Sequence, residues 1–217
     1  MPQFAVIIPA AGRSTRFGEN KLLQRLGDSI VLSRTLDAFR HRKDVSQVFV
    51  AVNAAIGAAK VTVCPGGFCR AESVLNALRI VPASVEWVAV HDAARPLVSE
   101  GLIDRTFAAA LEHGAAVPAL PVHLTIKQAS GPLPAKVERT LPRQQLWAMQ
   151  TPQVMRRTAL LDAFERCPIP LDQVTDDAQL MELAGHDVWL VPGDDQNIKI
   201  TTPIDLKLAE LWLNPPK

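Results

Sequence analysis

The chain has 217 residues, with 23 basic and 22 acidic side chains and a formal net charge of +1. Because this balance gives no global positive field, it argues against a nucleic-acid partner or an anionic membrane surface. Three cysteines without regular spacing argue against a disulfide framework or a zinc site, and they favour free thiols in a reducing, cytoplasmic compartment.

Apolar runs of strand length alternate along the chain with stretches of helical period. This pattern predicts one α/β domain over residues 1–217, with a Rossmann-like, mostly parallel twisted sheet flanked by helices. The first apolar run, 4–8, meets Pro9 too early for a signal peptide or a spanning helix, so we expect a buried strand. The predicted strands are 4–8, 47–52, 61–64, 87–90, 115–120, 188–191 and 198–200.

Apolar residues at helical spacing predict the helices between these strands. The second of them is expected to be shorter than the first and the third. The helices are marked by Leu32, Leu36 and Phe39; by Val74, Leu75 and Leu78; by Ile103, Phe107, Ala110 and Leu111; by Leu160, Leu161 and Phe164; and by Ile204, Leu208 and Leu211.

A proline-rich segment interrupts the alternation. Six prolines lie between residues 118 and 152, and proline confines the short β-prone pieces there to edges and turns. Gly131 and Pro132 give a turn signal, so we predict a hairpin arm inserted at about 121–152. Because an isolated hairpin is marginally stable in water, we expect the arm to pack against a partner subunit; a loose surface loop is the alternative.

The loop after the first predicted strand has the composition of a phosphate-binding loop. Ala10, Ala11 and Gly12 allow backbone N–H groups to approach phosphate oxygens, while Arg16 and Lys21 supply positive charge. The loop lacks the Gly-Lys-Ser/Thr ending of a Walker loop and the three spaced glycines of the dinucleotide fingerprint. It therefore favours a loop that grips a triphosphate, with a glycine turn and solvated basic residues as the alternative.

An acidic residue follows the strand predicted at 87–90. Asp92 is placed to bind Mg²⁺, which prefers few protein carboxylates together with substrate phosphates and water, and Arg95 can hold an anionic substrate group beside it. A turn or N-cap aspartate and an exposed arginine are the alternatives. We assign His91 a structural role, because a phosphate monoester is already ionised near pH 7 and needs no general base.

Other polar residues lie near predicted strand and helix ends. Gly67, Arg70 and Ser73 can line a nucleotide pocket, and Thr175 suits the N-cap of a helix that begins there. Lys199 adds a cation to the last predicted strand, where a solvated charge is the alternative.

Taken in order, these motifs cover nearly the whole chain and resemble the 2-C-methyl-D-erythritol 4-phosphate cytidylyltransferase family. The resemblance implies transfer of CMP from CTP to methylerythritol phosphate, with Mg²⁺ and release of pyrophosphate, in non-mevalonate isoprenoid biosynthesis. A cytidylyltransferase for another acceptor such as ribitol 5-phosphate, or an inactive nucleotide-binding protein, is the alternative. The motifs are Pro-Ala-Ala-Gly at 9–12 with Arg16 and Lys21, Gly-Gly at 66–67 with Arg-Ala-Glu-Ser-Val at 70–74, Val-His-Asp-Ala-Ala-Arg-Pro at 90–96, Leu-Trp at 146–147 with Thr-Pro-Gln at 151–153, Thr-Asp-Asp-Ala at 175–178 and Asn-Ile-Lys at 197–199.

The resemblance also implies a role for each matching residue. Ala10, Ala11, Gly12, Gly67, Arg70 and Ser73 surround CTP, and Arg16 and Lys21 contact its phosphates. Asp92 binds the magnesium ion beside the acceptor. Arg95, Thr151, Thr175 and Lys199 surround methylerythritol phosphate. Thr125 and Arg143 on the arm complete the site of the other subunit in a homodimer.

Three positions depart from the usual pattern of that family. Phe68 stands where an acidic residue is common, Leu124 stands where an aspartate commonly precedes the arm threonine, and Gln196 replaces an acidic residue. The phosphate-binding and metal-binding positions are unaffected, so the departures concern recognition of the cytosine base, recognition of the polyol and the geometry of the arm.

Overall fold

The structure is a computed structural model that describes residues 2–12, 17–18, 20–52 and 57–214. Within these ranges, none of the helices has both the length and the apolar character needed to cross a membrane.

Strands and helices alternate through most of the chain, as the hydrophobic pattern predicts. The strands are β1 (Phe4–Pro9), β2 (Arg25–Leu26), β3 (Ser29–Ile30), β4 (Val45–Ala51), β5 (Val61–Cys64), β6 (Trp87–Val90), β7 (Ala115–Pro121), β8 (Ile126–Ala129), β9 (Val137–Leu141), β10 (Trp147–Met149), β11 (Gln153–Arg156) and β12 (Trp189–Pro192). The helices are α1 (Val31–Arg40), α2 (Arg70–Ile80), α3 (Glu100–His113), α4 (Arg157–Glu165), α5 (Asp177–Leu183) and α6 (Pro203–Leu213). Short 3₁₀ turns cover Lys21–Leu23, Arg143–Gln145 and Leu171–Gln173.

The main sheet has the strand order β10-β7-β11-β6-β1-β4-β5, with β12 paired to β7. Pairs β1–β4, β1–β6, β4–β5 and β7–β12 are parallel, while β10 and β11 run antiparallel to their neighbours. The sheet is therefore mixed but mostly parallel, which confirms the predicted fold class. Because β1 lies inside the sheet, the loop that follows it opens at the carboxyl edge, where α/β proteins bind ligands.

Helices cover both faces of the sheet. Side chains of β1 alternate between two buried clusters: Phe4, Val6 and Ile8 pack with α1, α3 and α6, while Ala5 and Ile7 pack with α2, α4 and α5. All five are almost completely buried. A strand buried on both faces reads as a continuous apolar run, which is the pattern at the start of the sequence.

The predicted hairpin is present but shorter than the segment assigned to it. Strands β8 and β9 pair antiparallel as a separate two-stranded sheet, with Ile126 opposite Leu141 and Lys127 opposite Thr140. The segment predicted at 121–152 also contains β10, which pairs with β7 in the main sheet. The arm therefore ends before Trp147, because the chain rejoins the sheet there.

Three details of the sequence-based prediction are wrong. Residues 198–200 form no strand: the backbone N–H of Ile200 donates to the carbonyl of Ala94 at 2.8 Å, but no ladder is formed. Helix α2 has 11 residues and is longer than α1, which has 10, because small residues such as Ala71 and Ala77 extend its buried face. The N-cap of α5 is Asp176 and not Thr175, since the Asp176 carboxylate accepts from the N–H of Gln179 at 2.9 Å.

Candidate active site

A cavity of about 670 Å³ lies at the carboxyl ends of β1, β5 and β6. The loops after these three strands and one residue near α6 bring together many of the polar residues singled out in the sequence. Nine predicted site residues line the cavity: Ala10, Ala11, Gly12, Lys21, Gly67, Arg70, Ser73, Asp92 and Lys199.

The loop after β1 forms one wall of this cavity. The N–H of Ala10 donates to the carbonyl of Ala51 at 2.8 Å, which anchors the start of the loop to β4. A Cβ atom placed on Gly12 would meet no atom of the described residues within 4 Å, which leaves space for a ligand beside it. Lys21 lines the cavity at the start of a 3₁₀ turn whose N-cap is Asn20. Arg16 lies outside the described residues.

The loop after β5 forms the opposite wall and is held against α2. The N–H of Gly67 donates to Ser73 Oγ at 3.0 Å, and that hydroxyl donates to the carbonyl of Cys69 at 2.9 Å. A Cβ atom on Gly67 would lie only 2.5 Å from both Cβ and Cγ of Glu72, so this close approach requires glycine. Phe68 is fully exposed at the rim of the cavity. The sequence therefore places an aromatic ring where the family pattern commonly has an acid.

Asp92 is surrounded by three cations. Its Oδ1 is 3.3 Å from Arg70 Nε, and its Oδ2 is 3.3 Å from Arg95 Nε and 3.0 Å from Lys199 Nζ. Burial alone would raise the pKa of Asp92, but the positive charges of Arg70, Lys199 and Arg95 outweigh it and hold that pKa far below its ordinary value. Asp92 is therefore ionised at physiological pH.

A buried hydrogen-bonded network supports Asp92 from behind. The N–H of Asp92 donates to Thr151 Oγ1 at 3.0 Å, and Thr151 Oγ1 lies 3.1 Å from His91 Nδ1. His91 Nε2 lies 3.1 Å from the carbonyl of Arg95, which can only accept, so Nε2 carries the proton and Thr151 donates to Nδ1. Burial lowers the pKa of His91 to about 4, so the ring is neutral near pH 7. This arrangement agrees with the structural role expected for His91.

Arg95 and Thr151 belong to this supporting network and do not line the cavity. Arg95 Nη1 donates to the carbonyl of Asn197 at 2.7 Å, and its Nη2 donates to the carbonyl of Met149 at 3.4 Å. Their exposed fractions are 9% for Arg95 and 3% for Thr151. In this structure both residues position Asp92 and the loop around Lys199, and neither presents a surface to the cavity.

The remaining predicted residues do not line the cavity of the same chain. Thr175 is exposed, and its hydroxyl donates to Gln179 Oε1 at 3.2 Å. Thr125 directly precedes β8 of the arm, and Arg143 follows β9, where its Nη1 donates to the carbonyl of His123. Within the described part of one chain, these three residues therefore contribute nothing to the lining around Asp92.

A buried carboxylate that sequence reasoning missed also contacts the site. Asp177 Oδ2 accepts from Arg70 Nη2 at 2.7 Å, and the Asp177 side chain is completely buried. Burial raises the pKa of Asp177 despite the opposing charge of Arg70. The sequence held one signal for it: a helix needs only one side-chain acceptor at its N-cap, and Asp176 and Asp177 supply two carboxylates in succession.

The donor set at Asp92 fits a magnesium ion that is bound mainly by substrate. Among the described residues, no group of three or more His, Cys, Asp or Glu side chains could hold a metal by itself. Magnesium in phosphate-binding sites commonly uses one or two carboxylates plus phosphate oxygens and water, and Asp92 supplies one ionised carboxylate on the cavity surface. The residues present therefore suit a metal that arrives with a phosphate ligand.

Comparison with known proteins shows similarity over nearly the whole chain. The model of the family described as "2-C-methyl-D-erythritol 4-phosphate cytidylyltransferase" matches residues 4–215. A protein of that name from Frankia casuarinae is 41% identical, over 98% of this chain and 82% of its own.

Solved structures with that name give the same result at the level of the fold. The structure from Thermus thermophilus has a TM-score of 0.81 and 37% identity, covering 98% of both chains. The structure from Francisella tularensis has a TM-score of 0.84 and 34% identity, covering 95% of this chain and 98% of its own. The chain thus belongs to the 2-C-methyl-D-erythritol 4-phosphate cytidylyltransferase family.

Proposed function

We propose that this protein transfers the cytidylyl group of CTP to 2-C-methyl-D-erythritol 4-phosphate and releases pyrophosphate, in non-mevalonate isoprenoid precursor biosynthesis. The observation that carries the proposal is the cavity at the sheet edge, where a small-residue loop, a glycine-containing loop and an ionised Asp92 lie together. Family membership supplies the identity of the two substrates.

In this proposal, CTP binds in the cavity between the loop after β1 and the loop after β5. Backbone N–H groups of Ala11 and Gly12 can approach the triphosphate because no side chain beyond Cβ blocks them, and Lys21 adds a compact positive charge. Arg16 is assigned to the same phosphates on the sequence motif. The glycine-containing loop between β5 and α2, held by Ser73, then faces the nucleoside end of CTP.

The reaction is a displacement at the α-phosphorus of CTP. A phosphate oxygen of the acceptor forms the new bond to that phosphorus, and the bond from the α-phosphorus to the bridging oxygen of pyrophosphate breaks. The acceptor phosphate is already ionised near pH 7, so no protein base has to remove a proton, in agreement with the neutral, buried His91. Lys21 stabilises negative charge on the transferred and leaving phosphates, and most of the catalysis is positioning and charge stabilisation.

Asp92 is the proposed protein ligand of magnesium. When bound, the metal neutralises phosphate charge and reduces the repulsion between two anionic substrates. Lys199, whose Nζ is 3.0 Å from Asp92 Oδ2, lies on the same side of the cavity and can contact the acceptor phosphate. Arg95 and Thr151 contribute by holding Asp92 in place.

The acceptor half of the site is proposed to need a second subunit. Thr125 and Arg143 lie on the arm, away from the cavity of their own chain, and the arm exposes Leu124, Leu133 and Val137 by 77%, 87% and 52%. An arm with such exposed apolar side chains is stabilised by a partner surface. We therefore propose a homodimer in which the arm of each subunit completes the site of the other, and Thr175 is a further proposed contact to methylerythritol phosphate. We also propose a cytoplasmic location, supported by three free cysteines.

The test is an assay of pyrophosphate release with CTP and magnesium, run in parallel with methylerythritol phosphate and ribitol 5-phosphate. We expect rapid release of pyrophosphate with methylerythritol phosphate as the acceptor and no release with ribitol 5-phosphate. Release only with ribitol 5-phosphate would assign a different acceptor. CTP binding without turnover on any acceptor would indicate a nucleotide-binding protein that has lost catalysis.

A further inference from the structure

Arg70 is shared between two carboxylates that come from different parts of the fold. Its Nε is 3.3 Å from Asp92 Oδ1, whereas its Nη2 donates to Asp177 Oδ2 at 2.7 Å. The shorter contact is the one to Asp177, and within the described residues Nη1 makes no hydrogen bond. The guanidinium is therefore fixed along its Nε and Nη2 edge. Nη1 is left for a ligand in the cavity that Arg70 lines.

Asp177 is held rigidly by the start of α5. Its N–H and that of Ala178 donate to Gln153 Oε1 at 2.9 and 3.0 Å, and Gln153 Nε2 donates to Asp176 Oδ2 at 2.9 Å. Gln153 is itself buried on β11, so it ties the helix start to the main sheet. The position of the Asp177 carboxylate is thus set by the sheet.

The Asp177 carboxylate loses its hydration on burial, and its few polar contacts in the protein do not compensate for this loss. Its Oδ1 is buried without a hydrogen-bond partner among the described residues, and Arg70 alone forms an ion pair with it there. A buried carboxylate with one partner is expensive, since its lost hydration is only partly replaced. Such a residue contributes little to stability, which favours a role through Arg70.

We propose that Asp177 is a positioning residue that orients Arg70 toward bound CTP. Without Asp177, the Nε and Nη2 edge of Arg70 is free to close on both oxygens of Asp92, the bidentate geometry that arginine and carboxylate favour. Arg70 then turns away from the nucleotide and occupies the carboxylate assigned to magnesium. Asp177 prevents this by accepting a hydrogen bond from Nη2, which keeps that nitrogen away from Asp92. The inference rests on the proposed function, because it takes CTP as the ligand of the cavity.

The kinetic test compares Asp177→Asn with Glu182→Gln. The second variant removes the charge of an exposed carboxylate on the same helix, away from the Gln153 network that holds Asp177. We expect Asp177→Asn to raise both KM and Kd for CTP by about tenfold or more, and to change KM for methylerythritol phosphate by less than about threefold. Glu182→Gln is expected to leave KM for CTP nearly unchanged. Equal effects of the two variants would overturn the proposal.

A double-mutant cycle with Arg70→Ala separates action through Arg70 from damage to the helix. In the Arg70→Ala background, adding Asp177→Asn is expected to cause no further change in Kd for CTP, measured by calorimetry without acceptor. An undiminished effect in that background would show that Asp177 acts independently of Arg70. Binding of CTP without pyrophosphate release by the unmodified enzyme would instead count against the proposed reaction alone.

Urea denaturation provides a readout that needs no activity. Arg70→Ala leaves the buried Asp177 carboxylate unpaired, so this variant is expected to unfold at lower urea concentration than the unmodified protein. Adding Asp177→Asn removes the unpaired charge and should restore part of the lost stability. A double variant less stable than Arg70→Ala would contradict the pairing on which the proposal stands.

Discussion

Lys21 is the cavity-lining cation whose charge the proposed reaction needs most directly. Replacing it by alanine removes one stabilising contact to the phosphates, so we expect kcat with CTP to fall by about a hundredfold, equivalent to about 3 kcal/mol. Steady-state assays of pyrophosphate release measure this loss. Lys43→Ala, which removes an exposed lysine outside the cavity, serves as the control. Turnover near normal in Lys21→Ala would remove Lys21 from the mechanism.

His91 is expected to make the protein less stable as the pH falls through the mildly acidic range. Burial lowers its pKa from the ordinary 6.5 to about 4, so between these values the unfolded chain binds a proton that the folded chain does not. The stabilisation is fully present above about pH 6.5 and is lost as the pH falls toward 4, with a limit of about 3 kcal/mol. Urea denaturation of His91→Gln without divalent cations should show a shallower pH dependence over this range. An unchanged slope would mean that other groups cause the dependence.

At the scale of elements, the start of α6 depends on one carboxylate. Asp205 accepts hydrogen bonds from the N–H groups of Thr201 and Thr202 at 2.8 and 2.7 Å, and from the Thr202 hydroxyl at 3.0 Å. Asp205→Ala is expected to lower the free energy of unfolding by about 1 to 2 kcal/mol, measured with urea. Glu210→Ala, at an exposed position of the same helix, should change it by less than about 0.5 kcal/mol. A loss of the same size in both variants would contradict the capping role.

The elements that sequence analysis predicts best are those buried on both faces. Strand β6 matches its apolar run to the residue, because a parallel strand inside a sheet needs a continuous apolar segment. Strand β5 also matches its predicted bounds, although it lies at the sheet edge and only Cys64 of it is buried. Strand β11 was missed, since Gln153 and Arg156 give it a polar character and its pairing depends on β6 and β7, which are distant in sequence. The alternation at 198–200 misled in the opposite way: Ile200 packs in the core while Lys199 turns to Asp92 without any sheet ladder.

In the candidate site, too, residues in local sequence motifs could be predicted, whereas contacts between segments far apart in the sequence could not. The cavity-lining residues near β1, β5 and β6 follow strand ends, where an α/β fold places ligands, so their motifs could be recognised. The positions of Arg95 and Thr151 behind Asp92 depend on contacts with Met149, His91 and Asn197 from other segments. The ion pair of Arg70 with Asp177 joins residues 107 positions apart, and such a pair has no local signature.

For the whole molecule, the arm predicts a dependence of activity on association. Leu124 and Leu133 are exposed on the arm, and burying them against a second subunit removes apolar surface from water. Light scattering at micromolar concentration is expected to give the mass of a dimer, and Leu124→Glu with Leu133→Glu is expected to give a monomer with reduced turnover. Ile204→Glu, at an exposed apolar position on α6, is the control. A monomeric unmodified protein with full activity would contradict the shared site.

The order in which the cavity residues occur along the chain determines when the parts of the site can assemble during synthesis. The loops after β1, β5 and β6 leave the ribosome early, and β6, β1, β4 and β5 are consecutive strands of the sheet. Lys199, which contacts Asp92, and Asp177, which holds Arg70, are translated much later. A nascent chain can therefore form half of the sheet while the charges around Asp92 are still incomplete. The complete set of charges around Asp92 therefore requires a chain that extends to Lys199.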